Sequence, residues 1–531
     1  ELIFDVAYKY WDAGIPRSII KDILDRILKL QEQLVASGQV SPDLLYTQSV
    51  ALEGDAEVLL SLGDSHRALT EAKKARDIAQ NLVNQKPDNV YYQLALSIST
   101  GEIGDVLAAQ GDHAGALVAY QESLTIMEAL AAKQPDNANW QNDMLDRDYR
   151  IGDVLKALRR LPEALKAYQD GIKIAETLTK KDPNNPSWQR NLSICDDRIG
   201  DVYVSQGHRN KAIDLFRASL KIRQMLVAKN PDNTQWQRDV ALSDEKIADV
   251  LNLEGQTDAA VALYRDSLKI RRALVAKDPS NTGWQHDLSV SEERIGDLLR
   301  AKGDLPGALA AYMDDLHIAK MLAKKDTGIA EWQRGVSIGD YRVGGILEAQ
   351  HKLPEALVYY RDALSIVAAL EQRDPKDPQR LADLLFDLHR NANAELGAKN
   401  AAQALIDDQQ LLSLRREIYA ATPTVGTKSA LADALGSTSY MLLFNRRWQR
   451  ALDLAEEALR LDPTKVWIET NRAHALLFLG HFDAATAIYL ADKDKPFGKS
   501  TLGQAVKDDF ALFRQFGIDT PDMKKIEALL G

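Results

Sequence analysis

Acidic and basic side chains recur along the sequence at a fixed interval and are the first candidates for recognition chemistry. An aspartate returns at equal steps along the chain, and in most units a cation stands three residues before it. Side chains three residues apart share one helix face, so this spacing predicts that each cation lies beside its own aspartate. The two stripes have two interpretations, a self-neutralising ladder between neighbouring helices or a clamp for an extended, charged peptide. The acidic stripe is Asp105, Asp153, Asp201, Asp249 and Asp297, and the basic stripe is Arg150, Arg198, Lys246, Arg294 and Arg342.

Residues for catalysis or metal binding form no recognisable set. The nine histidines include no His-Glu-x-x-His pair, and the single cysteine, Cys195, has no positioned base beside it in the sequence. Every repeat offers the same carboxylates, so no selective acid–base pair stands out. We therefore predict no catalytic residues, no metal site and no cofactor. The contrary hypothesis, an enzyme, would require a site in the irregular segment 380–450.

Composition restricts the class of protein. The 531 residues are 45% hydrophobic and 27% charged, which is typical of a soluble folded chain, and 66 basic against 77 acidic residues give a net charge of −11. This charge disfavours nonspecific binding to nucleic acid or to an anionic membrane. One cysteine cannot form an intramolecular disulfide, and the sequence has no long apolar run and no signal peptide. We expect a cytoplasmic protein in a reducing compartment.

The elements that position the charged stripes are set by an internal repeat. Tryptophan recurs at equal intervals, and the tripeptide Ile-Gly-Asp that contains the acidic stripe recurs in the same register. Self-similarity at a fixed period is the signature of a stacked repeat array, which escapes the size limit of a single hydrophobic core. The tryptophans are Trp140, Trp188, Trp236, Trp284 and Trp332, and we assign them to packing between repeats rather than to base stacking.

Each repeat predicts two helices, here called helix A and helix B. Apolar residues at three- and four-residue spacing begin helix A at Trp140 and helix B at Ala164. Pro183 stops helix B, and Asn184 or Asn185 can cap the helix that follows. Small residues at fixed positions predict a close approach of helices A and B. The glycines of this set are Gly104, Gly152, Gly200 and Gly296.

These patterns, Ile-Gly-x-x-Leu followed by Ala-Leu-x-x-Tyr as in Ala116–Tyr120, resemble the tetratricopeptide repeat (TPR) superfamily. The sequence looks like the long, tryptophan-bearing variant of large bacterial multidomain signalling proteins. The usual unit has about 34 residues, and the roughly 14 extra residues here are close to four helical turns, two for each helix. The resemblance implies an all-α, right-handed superhelical α-solenoid of antiparallel helix pairs.

The register of the repeat predicts the boundaries along the chain. From residue 451 onward the period shortens to that of the usual unit, as the step from Ala451 to Ala485 shows. The predicted divisions are 1–43, N-terminal helices of an earlier repeat; 44–379, seven 48-residue repeats; 380–427, a degenerate repeat; 428–495, two units of standard length; and 496–531, C-terminal capping helices.

The resemblance implies a non-catalytic scaffold that binds a protein or peptide in a concave groove lined by the A helices. In that family the residue after the small glycine points into the groove, so the charged stripes are the candidate partner-binding residues. The alternative is a sensor or regulatory region of a bacterial signalling or defence protein. Its effector, a caspase-like peptidase, a TIR domain or an NTPase, would lie upstream of Glu1, because the chain does not begin with Met. Self-association through the repeated surface is a further option.

Overall fold

The protein consists of α-helices, most of which pack against the next helix in the chain. The computed structural model describes residues 17–38, 40–61, 64–325, 330–375, 377–498 and 500–531. The chain forms two compact units, Glu1–Ile270 and Arg271–Gly531, here called the N-terminal and C-terminal units. The prediction of an all-α solenoid of antiparallel helix pairs is confirmed.

Seven helix pairs occupy the segment in which seven long repeats are predicted, after helix α1 (Arg17–Ala36). In each pair helix A has 20 residues and helix B has 21. The A helices are α2 (Pro42–Ser61), α4 (Val90–Ala109), α6 (Ala138–Ala157), α8 (Pro186–Ser205), α10 (Thr234–Leu253), α12 (Thr282–Ala301) and α14 (Ala330–Ala349). The B helices are α3 (Ser65–Gln85), α5 (His113–Lys133), α7 (Leu161–Lys181), α9 (Arg209–Lys229), α11 (Thr257–Lys277), α13 (Leu305–Lys325) and α15 (Leu353–Arg373).

The C-terminal part changes helix length. The segment 380–427, whose sequence keeps the repeat only in its second half, still forms α16 (Pro378–Gly397) and α17 (Ala401–Ala421), with 20 and 21 residues. After α18 (Val425–Phe444) the helices shorten to 14 residues in α19 (Trp448–Leu461), 13 in α20 (Val466–Phe478) and 11 in α21 (Phe482–Asp492). The long helices exceed α19 by six or seven residues, about two turns, as the comparison of repeat lengths predicts.

The last residues contain one feature that the sequence pattern does not predict. A short antiparallel hairpin, β1 (Pro496–Phe497) and β2 (Ser500–Thr501), precedes α22 (Leu502–Gln515) and α23 (Pro521–Leu530). Phe510 and Phe513 are fully buried against the preceding helices, so α22 closes the apolar face of the stack.

Helix starts follow the predicted chemistry. Asn137 and Asn185 are N-caps, and each side-chain oxygen accepts hydrogen bonds from the backbone N–H groups two and three residues later. These bonds satisfy donors that have no partner inside the helix. The choice between Asn184 and Asn185 is thereby decided, and α7 ends at Lys181, before Pro183.

Helices A and B touch where a glycine of A faces an aromatic ring of B. The ring of Tyr168 lies over Gly152 and that of Tyr360 lies over Gly344, and both tyrosines are buried. A β-carbon on Gly344 would lie 2.7 Å from Cε1 of Tyr360, a distance that real β-carbons do not reach. The predicted close approach of the two helices is confirmed, and the glycine is required by the ring.

Two adjacent glycines of α14 allow a matched test of this contact. Gly344→Ala should lower the free energy of unfolding by about 1 to 3 kcal/mol, because the new methyl group overpacks the Tyr360 ring. Gly345→Ala should leave it unchanged or raise it by about 0.5 to 1 kcal/mol, because a β-carbon there meets only the Tyr360 hydroxyl, at 3.9 Å. Urea unfolding measures both, and equal midpoints for the two variants would contradict the packing argument.

Candidate functional site

Four of the five aspartates of the acidic stripe are held by the tyrosines of their own repeats. The Tyr120 hydroxyl donates to Asp105 at 2.5 Å, and the Tyr168 hydroxyl donates to Asp153 at 2.6 Å. The same pairing joins Tyr312 to Asp297 at 2.5 Å, and Tyr264 to Asp249. The ring that packs on the glycine therefore also bonds the next residue of helix A. The sequence showed this tyrosine only as a packing residue, although its fixed distance of 15 residues from the aspartate could have revealed the bond.

The cations pair across repeats rather than within them. Arg198 donates to Asp153 at 2.8 Å and Lys246 to Asp201 at 2.6 Å, and both partners lie 45 residues earlier. Arg150 binds Asp105 in the same way. The prediction that each of these cations pairs with the aspartate three residues later is therefore wrong. Each of these ion pairs therefore joins the A helices of two successive repeats.

The hydrogen bonds and ion pairs that the acidic and basic stripes form are here called the ladder. The repeat that starts at Trp188 shows how the ladder tolerates sequence variation. Phe216 takes the tyrosine position and offers no hydroxyl to Asp201. Two cations surround this aspartate instead, Lys246 at 2.6 Å and Lys156 at 3.6 Å. Lys246 also lies 5.3 Å from the centre of the Phe216 ring, within the range of a cation–π contact.

The C-terminal unit keeps the ladder with different partners. Arg342 binds Glu293 at 2.6 Å, and its guanidinium group lies 5.9 Å from the centre of the Tyr312 ring. Where Gly345 interrupts the acidic stripe, Glu348 accepts from the Tyr360 hydroxyl at 2.7 Å and from Arg390 at 2.5 Å. Arg294 occupies the equivalent position of α12.

The electrostatics of the ladder follow from partial burial. Burial raises the pKa of Asp105, and the attraction of Arg150 opposes that rise. Burial and the neighbouring aspartate raise the pKa of Tyr120 and of Tyr168, so both tyrosines remain hydrogen-bond donors. Acids and cations of the ladder thus have partners inside the chain. That these residues contact a partner protein stays a prediction.

Double-mutant cycles distinguish the two pairings of Arg198. Combining Arg198→Met with Asp153→Asn should give a coupling energy of about 0.5 to 1 kcal/mol, as expected for a partly exposed ion pair. Combining Arg198→Met with Asp201→Asn, the partner within its own repeat, should give a coupling energy near zero. Urea unfolding supplies the free energies. A larger coupling to Asp201 than to Asp153 would contradict the pairing across repeats.

A second row of carboxyl groups lies buried on the A helices of the N-terminal unit. Asp148, Asp196 and Asp244 occupy equivalent positions of successive repeats and are each 7% exposed. Burial, followed by nearby acids, raises the pKa of each of them to about 7. Acids that act this way include Glu128 on α5 and Glu176 on α7.

The equivalent acids of the C-terminal unit have cationic partners. Arg272 binds Glu292 at 2.6 Å, and Lys320 binds Asp340 at 2.9 Å. These cations stand 20 residues before their acids, the position that Glu128 and Glu176 occupy in the N-terminal unit. At this position of the repeat, the buried acid thus has a cation beside it in the C-terminal unit and further acids beside it in the N-terminal unit.

This difference predicts a pH dependence of stability. Asp148, Asp196 and Asp244 bind protons more tightly when folded (pKa about 7) than when unfolded (pKa about 3.9). The free energy of unfolding should therefore fall by about 1 kcal/mol per pH unit for each aspartate as the pH rises from 5 to 7, which is about 3 kcal/mol per pH unit for the three together. Replacing all three by Asn should flatten this slope and stabilise the protein at pH 8. Asp136→Asn, at a fully exposed side chain, is the control and should leave the slope intact; an unchanged slope in the triple variant would contradict the assignment.

An apolar row runs beside the ladder on the A helices. In most repeats an apolar side chain that is only partly buried stands four residues before the cation, so it shares the helix face of that cation. Leu242 is 39% exposed and Phe386 is 53% exposed. At one position of the row an acid replaces the apolar residue, and this Asp146 binds Arg150 at 2.8 Å. The row contains Ile98, Asp146, Ile194 and Leu242 in the N-terminal unit and Val290, Ile338 and Phe386 in the C-terminal unit.

The C-terminal unit also contains a cavity of about 890 Å³, lined by α16, α17, α18, α20, β1 and α22. Its walls are largely apolar, and the sequence analysis did not identify it. Residues from segments far apart in the chain meet there, so no local pattern marks it. The large apolar side chains of the wall are Leu385, Phe386, Met441, Trp467, Phe497 and Leu502.

The remaining candidate residues have structural roles. Trp140 is buried and packs with Met127 and Leu130, as predicted. Cys195 is buried beside the Tyr149 hydroxyl at 2.8 Å, and burial raises the pKa of its thiol to about 12, which opposes a thiolate nucleophile. Within the described parts of the chain, no group of three or more His, Cys, Asp or Glu side chains is placed to hold a metal ion. In the same residues, every helix is too short or too polar to cross a membrane.

Comparisons with known proteins find similarity of fold. No family model and no curated protein sequence matches this chain. The apo form of RapI is 12% identical, aligns with 79% of this chain and 98% of its own length, and has a TM-score of 0.45. A Rap protein complexed with competence and sporulation factor is 13% identical over 78% of this chain and 98% of that one, with a TM-score of 0.38. The C-terminal part of a TPR repeat-containing protein from Cytophaga hutchinsonii is 16% identical over 59% and 98%, with a TM-score of 0.37.

Proposed function

We propose that this chain is a non-catalytic scaffold that binds a protein partner through an extended peptide segment, along the face formed by its A helices. The observation that supports the proposal is the apolar row, which leaves side chains such as Leu242 exposed among charges that already have internal partners. Exposed apolar side chains in a regular row are typical of interaction surfaces. The ladder charges hold neighbouring repeats together, and the apolar row provides contact area for a partner.

The spacing of the row suits an extended ligand. Most repeats contribute one partly exposed apolar residue at the same place on helix A, as Ile194 and Leu242 do in the N-terminal unit. A peptide that runs across successive helices would meet equivalent contacts at regular intervals, as peptides do in helical-repeat grooves. The sequence-based alternative, a sensor region with an effector upstream of Glu1, concerns residues outside this chain and stays a prediction.

A peptide library displayed on phage tests the proposal on the full chain. Peptides selected on the wild-type protein should bind Leu242→Asp at least about 10-fold more weakly, because one buried apolar contact of this size contributes about 1 to 3 kcal/mol. The fold should tolerate this change, since Asp146 occupies the equivalent position of α6. The matched control is Val118→Asp on helix α5, where the side chain is 65% exposed.

The control variant should bind the selected peptides as the wild type does. Failure to enrich any peptide, or equal affinity of the wild type and the Leu242→Asp variant, would exclude peptide binding at this row. Far-UV circular dichroism and the unfolding temperature of each variant separate a lost contact from a lost fold.

A further inference from the structure

One arginine beside the cavity of the C-terminal unit lacks the partner that its counterparts have. Arg415 on α17 is half-buried, lines the cavity, and forms no ion pair or hydrogen bond through its side chain with any residue that the structure describes. The other half-buried arginines described in this unit each pair with an acid. They are Arg334, Arg342, Arg380, Arg390, Arg472 and Arg514.

The acids that face the cavity already have partners within the chain. Asp433 binds Lys465 at 2.7 Å. Asp509 accepts from the Tyr440 hydroxyl at 2.5 Å and contacts His474 Nε2 at 3.1 Å. Burial lowers the pKa of Arg415, and the attraction of Asp433 only partly opposes that effect. The guanidinium group forms no direct bond to these acids in the described residues, so its donors remain available on the cavity side.

The uncharged polar groups of the wall are also engaged within the chain. Ser437 donates to Asp408 at 2.7 Å, and Thr470 donates to the Trp467 carbonyl at 2.6 Å. Asn471 donates to the Gly436 carbonyl at 2.9 Å. A peptide backbone in this cavity would find few partners for its N–H and C=O groups, and burying them without partners is costly. The cavity thus favours an occupant with an apolar body.

We propose that the cavity binds an anionic amphiphile, a small molecule with one carboxylate on a large apolar body, and that Arg415 holds the carboxylate. A volume of about 890 Å³ accommodates such a molecule, since small-ligand sites measure roughly 300 to 1,000 Å³. Guanidinium and carboxylate match in charge and in planar geometry. The apolar body lies among side chains such as Phe386, Met441 and Trp467, and the ligand supplies the acid that Arg415 lacks. The cavity shares Phe386 with the apolar row, but it lies in the C-terminal unit, whereas Leu242, where the peptide row is tested, belongs to the N-terminal unit.

Calorimetric titration of the full chain with three ligands of equal chain length tests the charge. Decanoate, below its micelle concentration, should bind with one site per chain. Decanol should bind about 10-fold or more weakly, as expected for loss of a charge-assisted hydrogen bond, and decyltrimethylammonium should bind more weakly still. Equal affinity for decanoate and decanol, or binding of none of the three, would overturn the proposal.

Substitutions then assign the site. Arg415→Met should reduce the affinity for decanoate about 10- to 100-fold and abolish the preference over decanol. Arg416→Met is the matched control, because the neighbouring guanidinium is exposed and pairs with Glu457 at 2.8 Å; it should bind decanoate as the wild type does. Ala505→Trp, which fills the cavity, should remove decanoate binding.

The unfolding temperature of each ligand-free variant shows whether a loss of decanoate binding reflects a lost contact or a lost fold. Arg415→Met should match or exceed the wild type, since it removes a partly buried charge that pairs with no residue the structure describes. Undiminished decanoate affinity in folded Arg415→Met would refute the role of this arginine. A third outcome is that displayed peptides bind, decanoate does not bind, and Ala505→Trp blocks the peptides. The cavity would then be a peptide-binding site. This result would overturn the amphiphile proposal and would leave the proposed scaffold function intact.

Discussion

The close contact between a glycine of helix A and an aromatic ring of helix B is the constraint on which the rest of the structure depends. The ring of Tyr168 on Gly152 sets the separation of α6 and α7 and leaves no room for a side chain. The same ring directs its hydroxyl to Asp153, which in turn receives Arg198 from the next repeat. One contact therefore links packing within a repeat to pairing between repeats. The hydroxyl of the ring helps to orient the aspartate toward the next cation, although Asp201 binds Lys246 in the repeat where Phe216 offers no hydroxyl.

The buried acids of this protein differ in whether a cation or a hydrogen-bond donor lies beside them. The ladder acids meet tyrosines and cations, so partial burial of their charge is balanced. Asp148 and its equivalents in the N-terminal unit are buried among other acids, and burial raises the pKa of Asp148 to about 7. In the C-terminal unit, cations such as Lys320 occupy the facing position and compensate the acid. Repeats of one architecture thus differ in how they respond to protons, through a single exchange of acid for base on helix B.

The cavity of the C-terminal unit lies where the helices change length. Its walls combine helices of 20 and 21 residues, such as α16 and α17, with the 13-residue helix α20 and the 14-residue helix α22. Side chains of a regular repeat fill the space between helices of matching length. At this junction the shorter helices and the hairpin leave space that the longer helices do not fill. Trp467 and Phe497 line that space, and Arg415 adds one charge to it.

The sequence by itself determined the repeat, the helix pairs and the residues at their contacts. The constant period of the tryptophans, the asparagine caps and the small residue at Gly152 are local signals, because each reflects the conformation or packing of its own helix pair. The two-turn lengthening of the helices also followed from counting residues. Even the segment 380–427, with little of the pattern in its first half, forms helices of the expected length, since an amphipathic face is enough to build them.

The tertiary structure alone decided which charges meet and where a ligand can enter. Arg198 is three residues from Asp201 and 45 from Asp153, and it binds the more distant one. The distance across the interface between repeats depends on packing, and sequence spacing does not report it. The cavity joins residues from Phe386 to Asp509, and that Arg415 pairs with none of the described residues is recognisable only when the partners of its neighbours are known. Such sites arise from contacts between distant segments, which the fold creates and no local pattern contains.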